Sequence, residues 1–89
     1  MARAEVLYSG YVQGVGFRFT ARSTAAGYAI TGYVRNLPDG RVEVVAEGER
    51  AEVEAFLGEL ASAMGQYIDK AQASWTEGTS EFRGFTVRF

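Results

Sequence analysis

The stretch ITGYVRNLPDGRVEVVAE occupies residues 30–47 and has the pattern of a β-hairpin. Its two arms, Ile30–Asn36 and Arg41–Glu47, are rich in the β-branched residues that favour strands. Between the arms stands Leu37-Pro38-Asp39-Gly40, where proline presets φ for a turn and glycine accepts a positive φ. The stretch therefore predicts two neighbouring antiparallel strands joined by a tight turn.

Helical periodicity appears on both sides of this hairpin. Apolar residues recur at the spacing of one helix face between Glu49 and Met64, and Gly48 and Gly65 are natural boundaries of that helix. Its predicted core stripe consists of Val53, Phe56, Leu57, Leu60 and Met64. A weaker, alanine-rich helical pattern runs from Phe17 to Tyr28, with Gly27 close to its end.

Strand character recurs in Glu5–Val12, in Ile68–Glu77 and in the alternating Phe85, Val87 and Phe89. The resulting order is β-α-β-β-α-β with one more strand at the carboxyl end. This order predicts an α+β fold of the ferredoxin-like type, a split βαβ sandwich in which two helices cover one face of an antiparallel sheet. We expect one domain over residues 1–89, because the chain contains no linker, repeat or low-complexity segment.

Composition removes several classes of function. The 89 residues include no cysteine and no histidine, which excludes disulfides, a cysteine nucleophile, a Ser-His-Asp triad and a His-based zinc site. Nine basic against eleven acidic residues give a net charge of −2, which disfavours nucleic acid and anionic membranes as partners. No signal-peptide core or membrane-spanning apolar run is present. We expect a cytoplasmic monomer that binds neither nucleic acid nor membrane.

The loop from Gly10 to Arg18, between the first strand and the first helix, is the first candidate site. Gly14 and Gly16 let the backbone curl, so that successive N–H groups can face one anion beside a helix amino terminus. Arg18 adds a permanently charged planar fork suited to phosphate oxygens. Phe19 stands where a dinucleotide-binding fingerprint needs glycine or alanine. On spacing alone, a glycine-rich turn with a surface arginine remains the simpler interpretation.

Asn36 is the second candidate, since it ends a predicted strand just before the hairpin turn. An asparagine at such a position commonly hydrogen-bonds its own turn. Alternatively, its amide, which both donates and accepts hydrogen bonds, holds a water or a carbonyl beside the anion site. We expect the two loops to meet at one edge of the sheet, because a split βαβ fold brings the first two strands close together.

Two segments at a matching interval resemble the signatures of the acylphosphatase family. The first is Val12-Gln13-Gly14-Val15-Gly16-Phe17-Arg18, and the second is Gly32-Tyr33-Val34-Arg35-Asn36-Leu37-Pro38-Asp39-Gly40. Val42–Gly48, after the hairpin, is also similar to that family, and the resemblance covers nearly the whole chain. Two motifs at the correct interval are far more specific than either motif alone.

The resemblance implies hydrolysis of carboxyl phosphates, such as acetyl or benzoyl phosphate, to a carboxylate and inorganic phosphate without a metal or cofactor. It implies that Arg18 binds the phosphate and that Asn36 orients the attacking water. It also implies a phosphate-binding backbone cradle formed by Gln13, Gly14, Val15, Gly16, Phe17 and Arg18.

Two positions depart from the family's usual pattern. Ala29 stands where many members carry glycine at the end of the first helix, and Gly65-Gln66-Tyr67 replaces a glycine-proline pair. Alanine tolerates a left-handed helix cap poorly, so we expect the first helix to end earlier or differently. Neither departure involves Arg18 or Asn36.

Two alternatives to a free-standing acylphosphatase stay open at this point. One is a relative of the acylphosphatase-like domain of hydrogenase-maturation proteins, which handles carbamoyl phosphate. The other is a non-catalytic binding module of the same fold, either an anion sensor or an RNA-binding sheet, and the net charge of −2 disfavours RNA.

Overall fold

The computed structural model describes all residues from Met1 to Phe89. Its seven principal elements were all predicted, and the predicted bounds of the second and fourth strands are confirmed residue for residue. The elements are β1 (Ala2–Gly10), α1 (Phe17–Ala25), β2 (Ile30–Asn36), β3 (Val42–Gly48), α2 (Arg50–Met64), a 3-10 turn (Gly65–Tyr67), β4 (Ile68–Glu77) and β5 (Phe85–Arg88).

The five strands form one sheet in the order β4-β1-β3-β2-β5. The neighbours β4 and β1, β1 and β3, and β3 and β2 are antiparallel, as predicted. However, β5 runs parallel to β2, so the sheet is mixed and the prediction of a wholly antiparallel sheet is wrong at this edge. The reason is topological: the chain leaves β4 at the end of the sheet where β2 begins, and the short connection of residues 78–84 therefore starts β5 in the direction of β2.

Both helices pack on one face of the sheet, as predicted, and the core lies between the two layers. Alternate strand residues such as Val6, Val34 and Val44 point into this core and are buried. On α2 the buried residues are Val53, Phe56, Leu60 and Met64, four of the five positions of the predicted stripe. No helix of the chain is both long enough and apolar enough to cross a membrane.

The first helix ends three residues earlier than predicted. Its last turn tightens into bonds from Gly27 N–H to the Thr24 carbonyl (3.1 Å) and from Tyr28 N–H to the Ala25 carbonyl (3.1 Å). The Ala29 N–H then donates to the Glu52 carboxylate of α2 at 2.8 Å. Ala29 has no positive φ, so the helix ends without a left-handed cap.

The 3-10 turn that replaces the expected glycine-proline pair supports the first candidate loop. Its Tyr67 carbonyl accepts a hydrogen bond from the Tyr11 N–H at 2.9 Å. Gly10, the last residue of β1, has φ +122°, and a Cβ added there would lie 2.6 Å from the Tyr67 carbonyl oxygen. Glycine is therefore required at residue 10, and this close packing fixes where the β1–α1 loop begins.

The connection between β4 and β5 folds over the sheet face opposite the helices. Glu47 of β3 is buried there and accepts hydrogen bonds from the N–H groups of Thr79 (2.9 Å) and Ser80 (2.9 Å) and from the Thr79 hydroxyl (2.8 Å). The Arg3 guanidinium donates to Glu47 (2.9 Å) and to Glu81 (2.6 Å). We call these five residues the Glu47 cluster. It ties the connection, and hence the start of β5, to the sheet.

Candidate active site

The β1–α1 loop curls at its two glycines. Gly14 and Gly16 both have φ +80°, in the left-handed region that favours glycine. No heavy atom lies within 4 Å of a Cβ added at either position, so the backbone conformation, and not crowding, requires glycine. Gly16 is the residue that precedes α1, and the curl therefore leads directly into the first turn of the helix.

The backbone N–H groups of this loop are unused within the protein. None of the N–H groups from Gln13 to Arg18 donates a hydrogen bond to a protein acceptor. No side chain caps the amino terminus of α1, and its first turn contains no acidic residue. A helix amino terminus with free N–H groups and a positive dipole end favours a bound anion.

The Arg18 side chain, at the start of α1, has no carboxylate partner. It forms no ion pair, and its guanidinium carbon lies 4.9 Å from the centre of the Phe89 ring. Arg22, one helical turn further on, also forms no ion pair. Two unpaired cations on neighbouring turns repel each other, so an anion bound between or beside them is favoured.

Asn36 does not hydrogen-bond the hairpin turn that follows it. The turn is closed instead by the Leu37 N–H on the Arg41 carbonyl (2.8 Å) and by the Arg41 N–H on the Asp39 carboxylate (3.1 Å). The Asn36 side chain makes no hydrogen bond to any protein group. Its amide is therefore free to bind a ligand or a water molecule.

The two candidate loops meet, although not for the predicted reason. β1 and β2 are not neighbours, since β3 lies between them. The Gln13 side chain spans the gap: its Nε2 donates to the Leu37 carbonyl (2.8 Å) and to the Arg41 carbonyl (2.9 Å). Sequence reasoning assigned only the backbone of Gln13 to the site and missed this contact.

Arg18 and Asn36 line one cleft of about 860 Å³, together with Gly14, Gly16 and Phe17. Gln13 and Val15 of the predicted cradle do not line it. The fourteen lining residues are Val12, Gly14, Gly16, Phe17, Arg18, Phe19, Arg22, Ser23, Ala26, Asn36, Phe85, Thr86, Val87 and Phe89. No lining side chain is a carboxylate, and the charged side chains of the cleft are the two arginines, Arg18 and Arg22.

Sequence reasoning missed the far wall of the cleft, which β5 and Phe89 supply. The alternation of Phe85, Val87 and Phe89 predicted a strand, but nothing in it indicated that the strand lies beside β2 and faces α1. Phe19 and Arg22 were also missed as cleft residues. Across the chain, no three His, Cys, Asp or Glu side chains are arranged to hold a metal ion.

Comparison with known proteins identifies the family of the chain. The sequence model of the acylphosphatase family matches residues 4–87. The chain belongs to the acylphosphatase family. An acylphosphatase of Roseiflexus sp. strain RS-1 is 44% identical over 98% of this chain and 95% of its own length. Enzymes of this family act on small acyl phosphates.

Solved structures agree on the fold. The crystal structure of the acylphosphatase from Bacillus subtilis matches this acylphosphatase-family chain with a TM-score of 0.89 over the whole of both chains, at 24% identity. The crystal structure of HypF from T. kodakarensis matches with a TM-score of 0.84 and 30% identity, over all of this chain but only 12% of HypF. The ferredoxin-like α+β prediction is therefore confirmed, with the mixed sheet described above.

Proposed function

We propose that this chain hydrolyses acyl phosphates in the cleft between the β1–α1 loop, α1 and Asn36. One observation carries the proposal: Gly14, Gly16 and Phe17, whose N–H groups have no protein acceptor, line one cleft with an unpaired Arg18, and no lining side chain is a carboxylate. A phosphate group supplies what this arrangement lacks, because it is an anion with several strong acceptor oxygens.

Binding of the phosphate falls to the cradle of residues 13–18. The N–H groups and the Arg18 fork donate to its oxygens, and the charge that develops on those oxygens in the transition state strengthens each bond. Phosphoryl transfer passes through a loose transition state, and its catalysis depends mainly on positioning of the reacting groups and on stabilisation of the developing charge. No strong general acid is needed, because a carboxylate is a good leaving group at neutral pH.

Asn36 positions the attacking water in this proposal. The water oxygen forms a bond to phosphorus as the bond from phosphorus to the acyl oxygen breaks, which releases a carboxylate and inorganic phosphate. An amide is not a strong base, so a phosphate oxygen of the substrate takes the water's proton. The chain has no histidine to take that proton.

The remaining predictions stand as parts of the same proposal. Residues 1–89 act as one acylphosphatase-like domain, and the protein works as a monomer in the cytoplasm. It uses no metal or cofactor and binds neither nucleic acid nor membrane. The net charge of −2 supports the last part, since nucleic-acid and anionic-membrane partners select basic proteins.

The decisive experiment is benzoyl phosphate hydrolysis in the presence of EDTA, with Arg18→Ala and Arg83→Ala assayed in parallel. Arg83 lies outside the cleft, so its variant controls for the loss of one positive charge. We expect metal-independent turnover that falls about 10³-fold in Arg18→Ala and less than twofold in Arg83→Ala. Equal turnover in the wild type and Arg18→Ala would remove Arg18 from the reaction. Phosphate binding without turnover would favour the anion-sensor alternative.

Asn36→Ala tests the water-positioning role separately from phosphate binding. We expect kcat to fall about 100-fold, because a misplaced nucleophile costs about that much, while inorganic phosphate still inhibits the variant with its wild-type constant. Loss of phosphate inhibition in Asn36→Ala would instead assign Asn36 to anion binding.

Carbamoyl phosphate is the substrate of a second candidate function, favoured by the 30% identity to the matching part of HypF. Assay of acetyl and carbamoyl phosphate side by side distinguishes the two functions. We expect a higher kcat/KM for acetyl phosphate, because the cleft walls beyond Arg18 are largely apolar and offer no side-chain carboxylate to a carbamoyl NH₂ group.

A further inference from the structure

The cleft extends well beyond its phosphate end. From Arg18 it continues along α1 past Arg22, Ser23 and Ala26, with Phe85 and Val87 of β5 on the other side. We call this extension, defined by those last five residues, the α1–β5 groove.

The direction of the groove follows from the parallel pairing of β5 with β2. Arg35 pairs with Arg88, so the next residues along, Asn36 and Phe89, both lie at the phosphate end. Gly32 pairs with Phe85, which places Phe85 at the opposite end, near the carboxyl end of α1. Ala26 lies eight residues after Arg18, which corresponds to a length of about 12 Å at the rise of a helix. An acetyl group bound through its phosphate would leave most of this length empty.

Large apolar side chains are exposed around the same cleft. Phe19 is 67% exposed and Phe89 is fully exposed, and they are two of only four exposed large hydrophobic residues in the chain. Phe85 and Val87 are half-buried and pack against the core, so they form a fixed wall. Exposed aromatic residues at the rim of a concave, mostly apolar site are typical of ligand binding.

On the basis of the proposed function, we propose that the α1–β5 groove binds the acyl group of the substrate and selects apolar, medium-chain acyl phosphates. The phosphate sits at Arg18, and the hydrocarbon chain lies between Ser23 and Ala26 on one side and Val87 and Phe85 on the other. The acyl chain is thus continuous with the phosphate site and covers the apolar surface that the fold leaves open.

Beyond Arg18, Arg22 is the one charged side chain that lines the groove, and no acidic side chain lines it. Its hydrocarbon stem can lie along an acyl chain while the guanidinium stays in water, as long basic side chains commonly do. The competing interpretation is that Arg22 binds a second carboxylate on the substrate, as in succinyl phosphate. The apolar wall of Phe85 and Val87, together with the Ala26 methyl group opposite, favours the first interpretation.

The test compares kcat/KM for acetyl, succinyl and octanoyl phosphate in the wild type, Ala26→Glu and Gly27→Glu. We expect kcat/KM for octanoyl phosphate to exceed that for acetyl phosphate at least about 50-fold, since each buried methylene contributes about fourfold and the burial of about three of the additional methylenes gives this factor. Ala26 is exposed with φ −61°, so glutamate fits there and puts a carboxylate in the groove. The ratio of octanoyl to acetyl turnover should fall about tenfold in this variant.

Gly27→Glu is the matched control, because it adds the same charge one residue on and outside the groove. A Cβ at residue 27 would lie 3.5 Å from the Thr24 carbonyl oxygen, an ordinary contact. The octanoyl-to-acetyl ratio should change less than twofold there. An equal fall in both glutamate variants would overturn the proposal.

The remaining outcomes separate the groove from the proposed function. Equal kcat/KM for acetyl and octanoyl phosphate would refute the groove proposal and leave acyl phosphate hydrolysis standing. A preference for succinyl phosphate that disappears in Arg22→Gln would refute it in favour of a second anion site. If no acyl phosphate is hydrolysed, the proposed function fails, and calorimetry with octylphosphonate against methylphosphonate still tests the groove: equal affinities would overturn it.

Discussion

Arginine has opposite surroundings on the two faces of the sheet. On the sheet face opposite the helices, Arg3 donates to the carboxylates of Glu5 (2.8 Å), Glu47 (2.9 Å) and Glu81 (2.6 Å). On the helix side, Arg18 has no carboxylate partner and only an aromatic ring nearby. The Arg3 guanidinium is thus paired with carboxylates of the protein, whereas the Arg18 guanidinium is unpaired and can bind an anionic ligand.

The comparison separates groups that stabilise the fold from groups that the fold tolerates. In the Glu47 cluster, the buried carboxylate accepts four hydrogen bonds. The removal of any partner leaves that carboxylate incompletely hydrogen-bonded in a buried site, which destabilises the fold. Arg18 and Asn36 are part-exposed and have no protein partner, so their removal leaves nothing unsatisfied. We expect mutations in the cluster to lower stability and mutations in the cleft to lower activity.

Acid titration of the Glu47 cluster should give the largest effect on stability. Burial alone would raise the pKa of Glu47, but the hydrogen bonds from the Thr79 N–H and from Arg3 outweigh burial and lower it from 4.5 to about 2. A lowered pKa contributes stability that is present above pH 4.5 and is lost as the pH falls toward 2. We expect about 3 kcal/mol of the free energy of unfolding to disappear over that window, measured by urea denaturation.

Glu47→Gln is the control for this titration, because glutamine keeps the shape of the side chain and has no charge to titrate. Its stability should be lower than that of the wild type at pH 7 and should fall much less between pH 4.5 and pH 2. If both proteins lost the same free energy across the window, the acid sensitivity would belong to other carboxylates and not to the cluster.

The next largest effect comes from Arg3→Ala compared with Arg18→Ala. Arg3→Ala removes a charged partner from buried Glu47, so we expect a loss of about 2 kcal/mol in the free energy of unfolding with kcat/KM changed less than threefold. Arg18→Ala should change stability by no more than about 0.5 kcal/mol, helped by the relief of repulsion from Arg22 one turn away. Urea denaturation gives the free energy of unfolding of each variant, and benzoyl phosphate assays give kcat/KM of each variant. A stability loss in Arg18→Ala as large as that in Arg3→Ala would abolish the contrast between the two faces.

Much of this architecture follows from local sequence patterns. The hairpin of β2 and β3 was predictable because turn chemistry and β-branched arms agree, and α2 because its apolar period continues over four turns. Arg18 and Asn36 could be named from two short motifs. Their roles remain predictions, although the structure brings them to one cleft.

Long-range relations were not predictable from the same patterns. The parallel course of β5 depends on where the connection after β4 crosses the sheet, and no local spacing encodes that path. Glu47 reads as one of several acidic residues in a solvated run, yet residues 79 and 80 bury it from more than thirty positions away. The α1–β5 groove escapes prediction for the same reason, since its two walls meet only through the sheet order.

Gln13 lies between the two extremes, because its Nε2 has two protein partners although its chain neighbours Val12 and Gly14 line the cleft. Gln13→Leu removes the two hydrogen bonds that join the β1–α1 loop to the hairpin. In this variant the Arg41 carbonyl still accepts a hydrogen bond from the Leu37 N–H, and the Leu37 carbonyl still accepts one from the Gly40 N–H. We therefore expect the free energy of unfolding, measured by urea denaturation, to fall by only about 1 kcal/mol. However, kcat/KM for benzoyl phosphate should fall about tenfold, because the phosphate cradle loses its fixed position relative to Asn36. Lower stability with unchanged kcat/KM would mean that the cradle keeps its place without Gln13, and that its position is set at Gly10 and Tyr67 instead.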